Sequence, residues 1–178
     1  MRKLTYDELS SKRLTPEQLS QEQRYPIFIL LDNIRSLYNV GSIFRTADGA
    51  RVSRLILCGF TPHPPRKEIE KTALGATGTV PWAYINSAVE AIADLKSKGI
   101  RICALEQTET SRAYHSITPD LFPVCLVVGN EITGVSAQVM ANADLAVEIP
   151  MFGMKQSLNA AVALGITLFE FVRVWNNR

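Results

Sequence analysis

Hydrophobic positions along the chain follow two alternating patterns. Short continuous runs rich in Ile, Val and Leu occupy 27–31 (IFILL), 54–60 (RLILCGF), 80–85 (VPWAYI), 101–106 (RICALE), 124–130 (VCLVVGN) and 145–150 (LAVEIP). Between them lie stretches whose apolar residues recur every three or four positions, as Val40, Ile43, Phe44 and Ala47 do. The runs predict buried strands and the spaced stretches predict helices, with further helices over 68–74, 87–99 and 136–140 and a long final one from about Ser157. Continuous apolar strands separated by helices imply an α/β fold, a mostly parallel sheet covered by helices on both faces. Residues 1–24 are polar. There Thr5 and Thr15 each precede Glu or Gln by three positions, the spacing of a reciprocal helix cap, so this segment reads as a small helical extension ahead of one domain at 25–178.

Composition narrows the function classes. The 178 residues are 47% apolar and 20% charged, ordinary for one globular domain. A net charge of +2 and a pI near 8.5 permit a nucleic-acid partner without requiring one. Cys58, Cys103 and Cys125 sit inside apolar runs with no short mutual spacing, as reduced core thiols do. His63 and His115 belong to no ligand-like cluster, so no metal is expected. The N-terminus lacks the apolar core of a signal peptide, and the apolar stretch at 160–169 is too short to span a bilayer. Cytoplasmic residence with no membrane partner is the resulting expectation. Neither G-x-G-x-x-G nor G-x-x-x-x-G-K-[ST] is present, which disfavours an ordinary nicotinamide oxidoreductase or nucleotide hydrolase.

In parallel sheets ligands collect beyond the carboxyl ends of the strands, which directs attention to three polar clusters. The first is NIRSLYNVGSIFRTADGA at 33–50, where Arg45 lies off the apolar stripe one turn after Gly41, a glycine expected to leave open space beside the guanidinium. A solvated arginine satisfies the same spacing. The second is LVVGNEITGVS at 126–136. Gly129 there is expected to let a ligand approach the backbone, with Asn130 and Glu131 just outside the sheet, although a turn glycine and a solvated acid fit equally. The third is EIPMFGMKQSLNAAVALG at 148–165. Ser157 is a natural cap for the last helix, whereas Asn159 gains little from helix propensity. Helix-start amides and loop carbonyls in that segment can read the edge of a purine.

In order and spacing these clusters, with KTALGA at 71–76, resemble the three motifs of the SpoU (TrmH-like) family of RNA 2′-O-ribose methyltransferases in the SPOUT superfamily. The resemblance runs over about 25–175. Ala160 and Ala161 depart from the valine and serine that often follow the asparagine, Lys155-Gln156 fills a variable part of the loop, and no separate RNA-binding domain is expected ahead of the motifs. The resemblance implies a C-terminal deep trefoil knot, S-adenosylmethionine (AdoMet) as cofactor and a homodimer whose interface includes Phe169, Val172 and Trp175. It also implies a tRNA or rRNA substrate, with tRNA favoured. It places Leu105, Gly129, Ile149, Ser157 and Leu158 at the cofactor, and Asn39, Arg45, Glu131 and Asn159 at the RNA, with Asn39, Arg45 and Glu131 catalytic. Because a guanidinium is a very poor base, Arg45 is read as a phosphate clamp that also stabilises the developing alkoxide, with Asn39 and Glu131 orienting it. A catalytically inactive RNA-binding protein of the same fold is the alternative reading.

Overall fold

The apolar runs pair into one sheet. The computed structural model describes residues 1–178, the side chains of Pro16 and Ser20 excepted. Strands β1 (Tyr25–Asp32), β2 (Val52–Cys58), β3 (Trp82–Ile85), β4 (Arg101–Leu105), β5 (Arg112–Ala113), β6 (Val124–Val128) and β7 (Leu145–Glu148) form a seven-stranded sheet in the order β3-β2-β1-β6-β4-β7-β5. Every pairing is parallel. Side chains of a strand alternate between faces, so β1 divides its apolar residues between two cores. Ile27, Ile29 and Leu31 join α3 (Leu37–Gly49), α4 (Lys67–Ala73) and α7 (Ala160–Asn176), while Leu30 joins α5 (Ala88–Ser97) and α6 (Ala137–Met140). The expected doubly covered parallel sheet is therefore observed.

The α3 stripe anchors the helix that carries Arg45. Val40, Ile43, Phe44 and Ala47 are completely buried, and each large side chain so buried contributes roughly 1.5–3 kcal/mol. Gly41 has a role other than the one expected. A Cβ on it would lie 2.1 Å from Thr72 Oγ1 and 2.3 Å from the Ile69 carbonyl oxygen. The missing side chain thus admits α4, not a ligand, and the Thr72 hydroxyl donates to the Tyr38 carbonyl at 3.1 Å.

The last helix begins later than expected. Asn159, not Ser157, is its cap, its Oδ1 accepting from Ala161 N at 2.9 Å and Val162 N at 3.3 Å. Helices α3 and α7 run side by side in the same direction: Asn39 meets Asn159 at their N-termini, Thr46 faces Gly165, and Gly49 faces Phe169. Of the residues expected at an interface, Phe169 is exposed, but Val172 packs against the core and the Trp175 ring lies 5.3 Å from that of Phe122. The outward strip of α7 is instead Val162, Ile166 and Phe169.

At the N-terminus, α1 (Tyr6–Ser10) and α2 (Pro16–Gln21) carry the reciprocal caps read at Thr5 and Thr15. The three cysteines are free and buried, and burial pushes the Cys58 and Cys103 thiols up to about 12 and Cys125 well above its ordinary value. Among the described residues no helix is long and apolar enough to cross a membrane, and no cluster of His, Cys, Asp and Glu is placed to hold a metal ion.

Candidate active site at the carboxyl edge of the sheet

Strand order changes direction in sequence beside β1, β6 and β4, the place where a parallel sheet opens a crevice. Polar side chains at the strand ends tie the loops there together. Asp32, 1% exposed at the end of β1, accepts from Ser136 N at 2.8 Å and from Asn33 Nδ2 at 2.8 Å. Asn33 adopts a left-handed conformation (φ 60°), which asparagine tolerates. Its Oδ1 accepts from Phe60 N at 3.1 Å and its carbonyl from Asn130 Nδ2 at 2.8 Å. Asn130 Oδ1 in turn accepts from Ile132 N at 2.9 Å and Thr133 N at 3.2 Å.

Glu131 spans to the start of α3. Its carboxylate accepts from Arg35 N at 2.9 Å, Ser36 N at 3.1 Å and Asn39 Nδ2 at 2.9 Å, a negative charge placed at a helix N-terminus. Asn39 Oδ1 then accepts from Asn159 Nδ2 at 3.0 Å. One continuous hydrogen-bonded line therefore joins the β6 loop to the first turns of α3 and α7. Burial raises the Glu131 carboxyl, but the Arg35, Glu131, Asn39 and Ser36 donors outweigh it and hold the group below its ordinary 4.5. A lowered folded value means stabilisation that is present above 4.5 and is lost as pH falls through the folded value. The stability advantage of the natural protein over Glu131→Gln is thus expected at neutral pH and should vanish on acidification, as read by urea unfolding at the two extremes. An advantage independent of pH would exclude Glu131 as an ionised cap.

Beneath this line lies a cavity of about 290 Å³. Leu105, Gly129, Ile149, Ser157 and Leu158, the residues expected at the cofactor, all line it, and so do Glu131 and Asn159. Asn39 borders it through Asn159. Arg45 does not line it: the side chain is exposed on α3 and forms no hydrogen bond or ion pair among the described residues. Glu131 bonds to Asn39 and to backbone, and Asn39 to Glu131 and Asn159, so neither orients Arg45 directly, contrary to expectation. Gly129 also differs from its expected role. A Cβ there would lie 2.1 Å from Val135 N and 2.2 Å from Gly134 C, so its bareness admits the chain's own loop.

Several wall residues escaped the sequence reading. Glu106 accepts from Val135 N at 2.9 Å and Gln107 N at 3.0 Å, and Gln107 Nε2 donates to the Gln156 carbonyl at 2.7 Å, which fastens the loops after β4, β6 and β7 to one another. Glu148 accepts from the Ser111 hydroxyl at 2.8 Å. The signal available for Glu106 and Glu148 was their position at strand carboxyl ends, the same rule that found Glu131.

A parallel doubly covered sheet with a half-apolar cavity at its switch point places the protein in the class of α/β proteins with a ligand crevice at the strand carboxyl ends. Within that class the chain belongs to the SpoU rRNA methylase family, whose model matches residues 26–169. It is 32% identical over 145 residues to the 23S rRNA (guanosine-2′-O-)-methyltransferase RlmB of Neisseria meningitidis serogroup B, covering 82% of this chain and 57% of that one. The crystal structure of the A. aeolicus TrmH/SpoU tRNA modifying enzyme superposes with a TM-score of 0.81 at 30% identity, over 91% of this chain and 83% of that one. An AdoMet-bound rRNA methyltransferase from Sinorhizobium meliloti gives a TM-score of 0.77 at 33% identity, over 85% of this chain and 57% of that one. The chain thus spans little more than half the length of the two rRNA enzymes and most of the tRNA enzyme.

Proposed function

We propose that the protein is an AdoMet-dependent methyltransferase acting on a ribose 2′-hydroxyl of structured RNA, tRNA rather than rRNA. The observation that carries this reading is one cavity lined by the second and third motif clusters, with the first tied to its rim through the Glu131–Asn39–Asn159 line. The tRNA preference rests on the likeness to the A. aeolicus tRNA modifying enzyme. Bound AdoMet would supply a methyl group activated on a sulfonium. The cavity suits it: Leu105, Ile149, Met151 and Leu158 give apolar walls for a flat base, the loop backbones give donors and acceptors, and Glu106 and Glu148 line the same space.

The roles of the chain's own groups follow from what each has left to offer. The carboxylate of Glu131 is engaged by three donors, so it positions α3 and Asn39. Asn39 and Asn159 each retain one amide proton beyond the bonds they make, and these are free to hold the ribose. A guanidinium is a planar cation and a very poor base, and Arg45 has no internal partner among the described residues, so it clamps a phosphate beside the target and stabilises the hydroxyl oxygen as it gains charge.

The same reading assigns 1–24 as a helical extension, 25–178 as the methyltransferase domain, and cytoplasmic residence in keeping with three free thiols. It includes the trefoil knot, supported by the chain after β7 passing back beside Gln107 to lay α7 over β1 and β6. It also includes a homodimer through the α7 strip of Val162, Ile166 and Phe169. Replacing Ile166 or Phe169 by Glu should shift the protein to a monomer in light scattering, and dimers unaffected by both changes would place the interface elsewhere. The cofactor and substrate are tested together. Calorimetric titration should show binding of AdoMet and S-adenosylhomocysteine but not NADH, and labelled methyl groups should enter purified tRNA in preference to ribosomal RNA. Transfer confined to rRNA would reverse the substrate assignment.

A further inference from the structure

Among the large apolar side chains exposed at the carboxyl edge of the sheet are Tyr38 (53% exposed), Phe60 (63%) and Ile132 (74%). They come from the segments after β1, β2 and β6, yet the polar ties described above fix all three. Phe60 N–H is held by Asn33, Ile132 N–H by Asn130, and the Tyr38 carbonyl by Thr72. Holding apolar groups rigidly in water is unfavourable unless something covers them. Tyr38 precedes Asn39 and shares the α3 ridge with Arg45, seven residues on. Ile132 lines the mouth of the cavity. Cations outnumber anions around them: Arg35, Arg45, Arg66, Lys67 and Lys71 are exposed and form no ion pair among the described residues, against the exposed Glu68 and Glu70 of α4.

We propose that Tyr38, Phe60 and Ile132 form a stacking rim for unpaired bases flanking the methylated nucleotide, with the surrounding cations holding the intervening phosphates. This rests on the proposed function and adds how the RNA is presented: the target lies in a single-stranded segment whose neighbouring bases lie on the aromatic faces. Bases stack on aromatic rings regardless of sequence, so the rim positions the strand and leaves choice of the target to other contacts. A ring that stacks needs its face, not its hydroxyl, and the Tyr38 hydroxyl has no partner among the described residues.

Two measurements test the rim. In the first, a fluorescent short oligoadenylate and an abasic ribose-phosphate strand of equal length are titrated into the natural protein, Tyr38→Ala, Phe60→Ala, Tyr38→Phe and Phe60→Trp. The natural protein and the two aromatic replacements should bind oligoadenylate about tenfold or more tightly than the abasic strand, and each alanine variant should lose much of that margin. In the second, the alanine variants should raise the RNA concentration for half-maximal methylation while leaving AdoMet affinity unchanged. Equal binding of both strands by the natural protein, or an undiminished margin in both alanine variants, overturns the rim. So does conversion of those variants to monomers, which would make these residues a contact between copies. A natural protein that binds AdoMet and methylates RNA while the margin is absent sinks the rim alone, whereas one that methylates no RNA sinks the proposed function with it.

Discussion

Arg45→Ala is expected to slow single-turnover methyl transfer by about a hundredfold or more, the scale of losing one donor aimed at developing charge. AdoMet affinity should not move, because the side chain does not line the cavity. Stability should change by less than about 0.5 kcal/mol, since the residue is exposed and its helix is held by Val40, Ile43 and Phe44 on the opposite side. This pattern separates the two readings that spacing left open, because a solvated arginine would change none of the three quantities. Arg45→Lys refines the role. Lysine keeps the charge and loses the planar fork, so a bidentate clamp fails with either substitution. Rates at saturating RNA and AdoMet isolate the chemical step from binding, and rates equal to the natural protein in the alanine variant would remove Arg45 from the mechanism.

Gly129→Ala is expected to cost about 1–3 kcal/mol, the range for forcing an extra methyl into packed structure, and to weaken AdoMet binding in parallel. The methyl carbon would fall 2.1 Å from Val135 N and 2.4 Å from the Gly134 oxygen, both backbone atoms that cannot rotate aside. Relief requires moving 130–135, and that loop carries Glu131 and forms part of the cavity wall. Gly153→Ala is the control. A Cβ there meets nothing within 4 Å, so its effect should stay within about 0.5 kcal/mol. Paired urea unfolding and AdoMet titration of both variants check this, and a Gly129→Ala protein as stable as the control would contradict the packing described.

What could be read from the chain and what could not divide along physical lines. A continuous apolar run reports a strand buried on both faces and a period-3.6 pattern reports the buried face of a helix, so β1, α3 and the two-sided cover of the sheet were legible. So were the caps at Thr5 and Thr15, because a reciprocal cap is complete within four residues. Strand β5 has two residues, too few to show any period. Sheet order and cross-loop bonds join residues far apart in sequence: Glu131 meets Asn39 across 92 positions and Asn130 meets Asn33 across 97. The rule that ligands gather beyond strand carboxyl ends pointed, without that information, to the loops after β4, β6 and β7 that line the cavity. It did not tell whether a glycine there makes room for a ligand or for the protein, and for Gly41 and Gly129 the answer is the protein. Ser157 and Asn159 show the same limit, as both are good caps and only the path of the loop selects Asn159.

Methyl transfer from AdoMet to a ribose hydroxyl leaves a product that alkali distinguishes from a methylated base. The purified protein is incubated with AdoMet carrying a labelled methyl group and unmodified tRNA, and the RNA is then hydrolysed with alkali. A 2′-O-methyl group blocks cleavage of the adjacent phosphodiester, so the account predicts label in an alkali-resistant dinucleotide, lost with Arg45→Ala. Label released as a methylated base in mononucleotides, or no label in tRNA or rRNA from a protein that binds AdoMet, would contradict it.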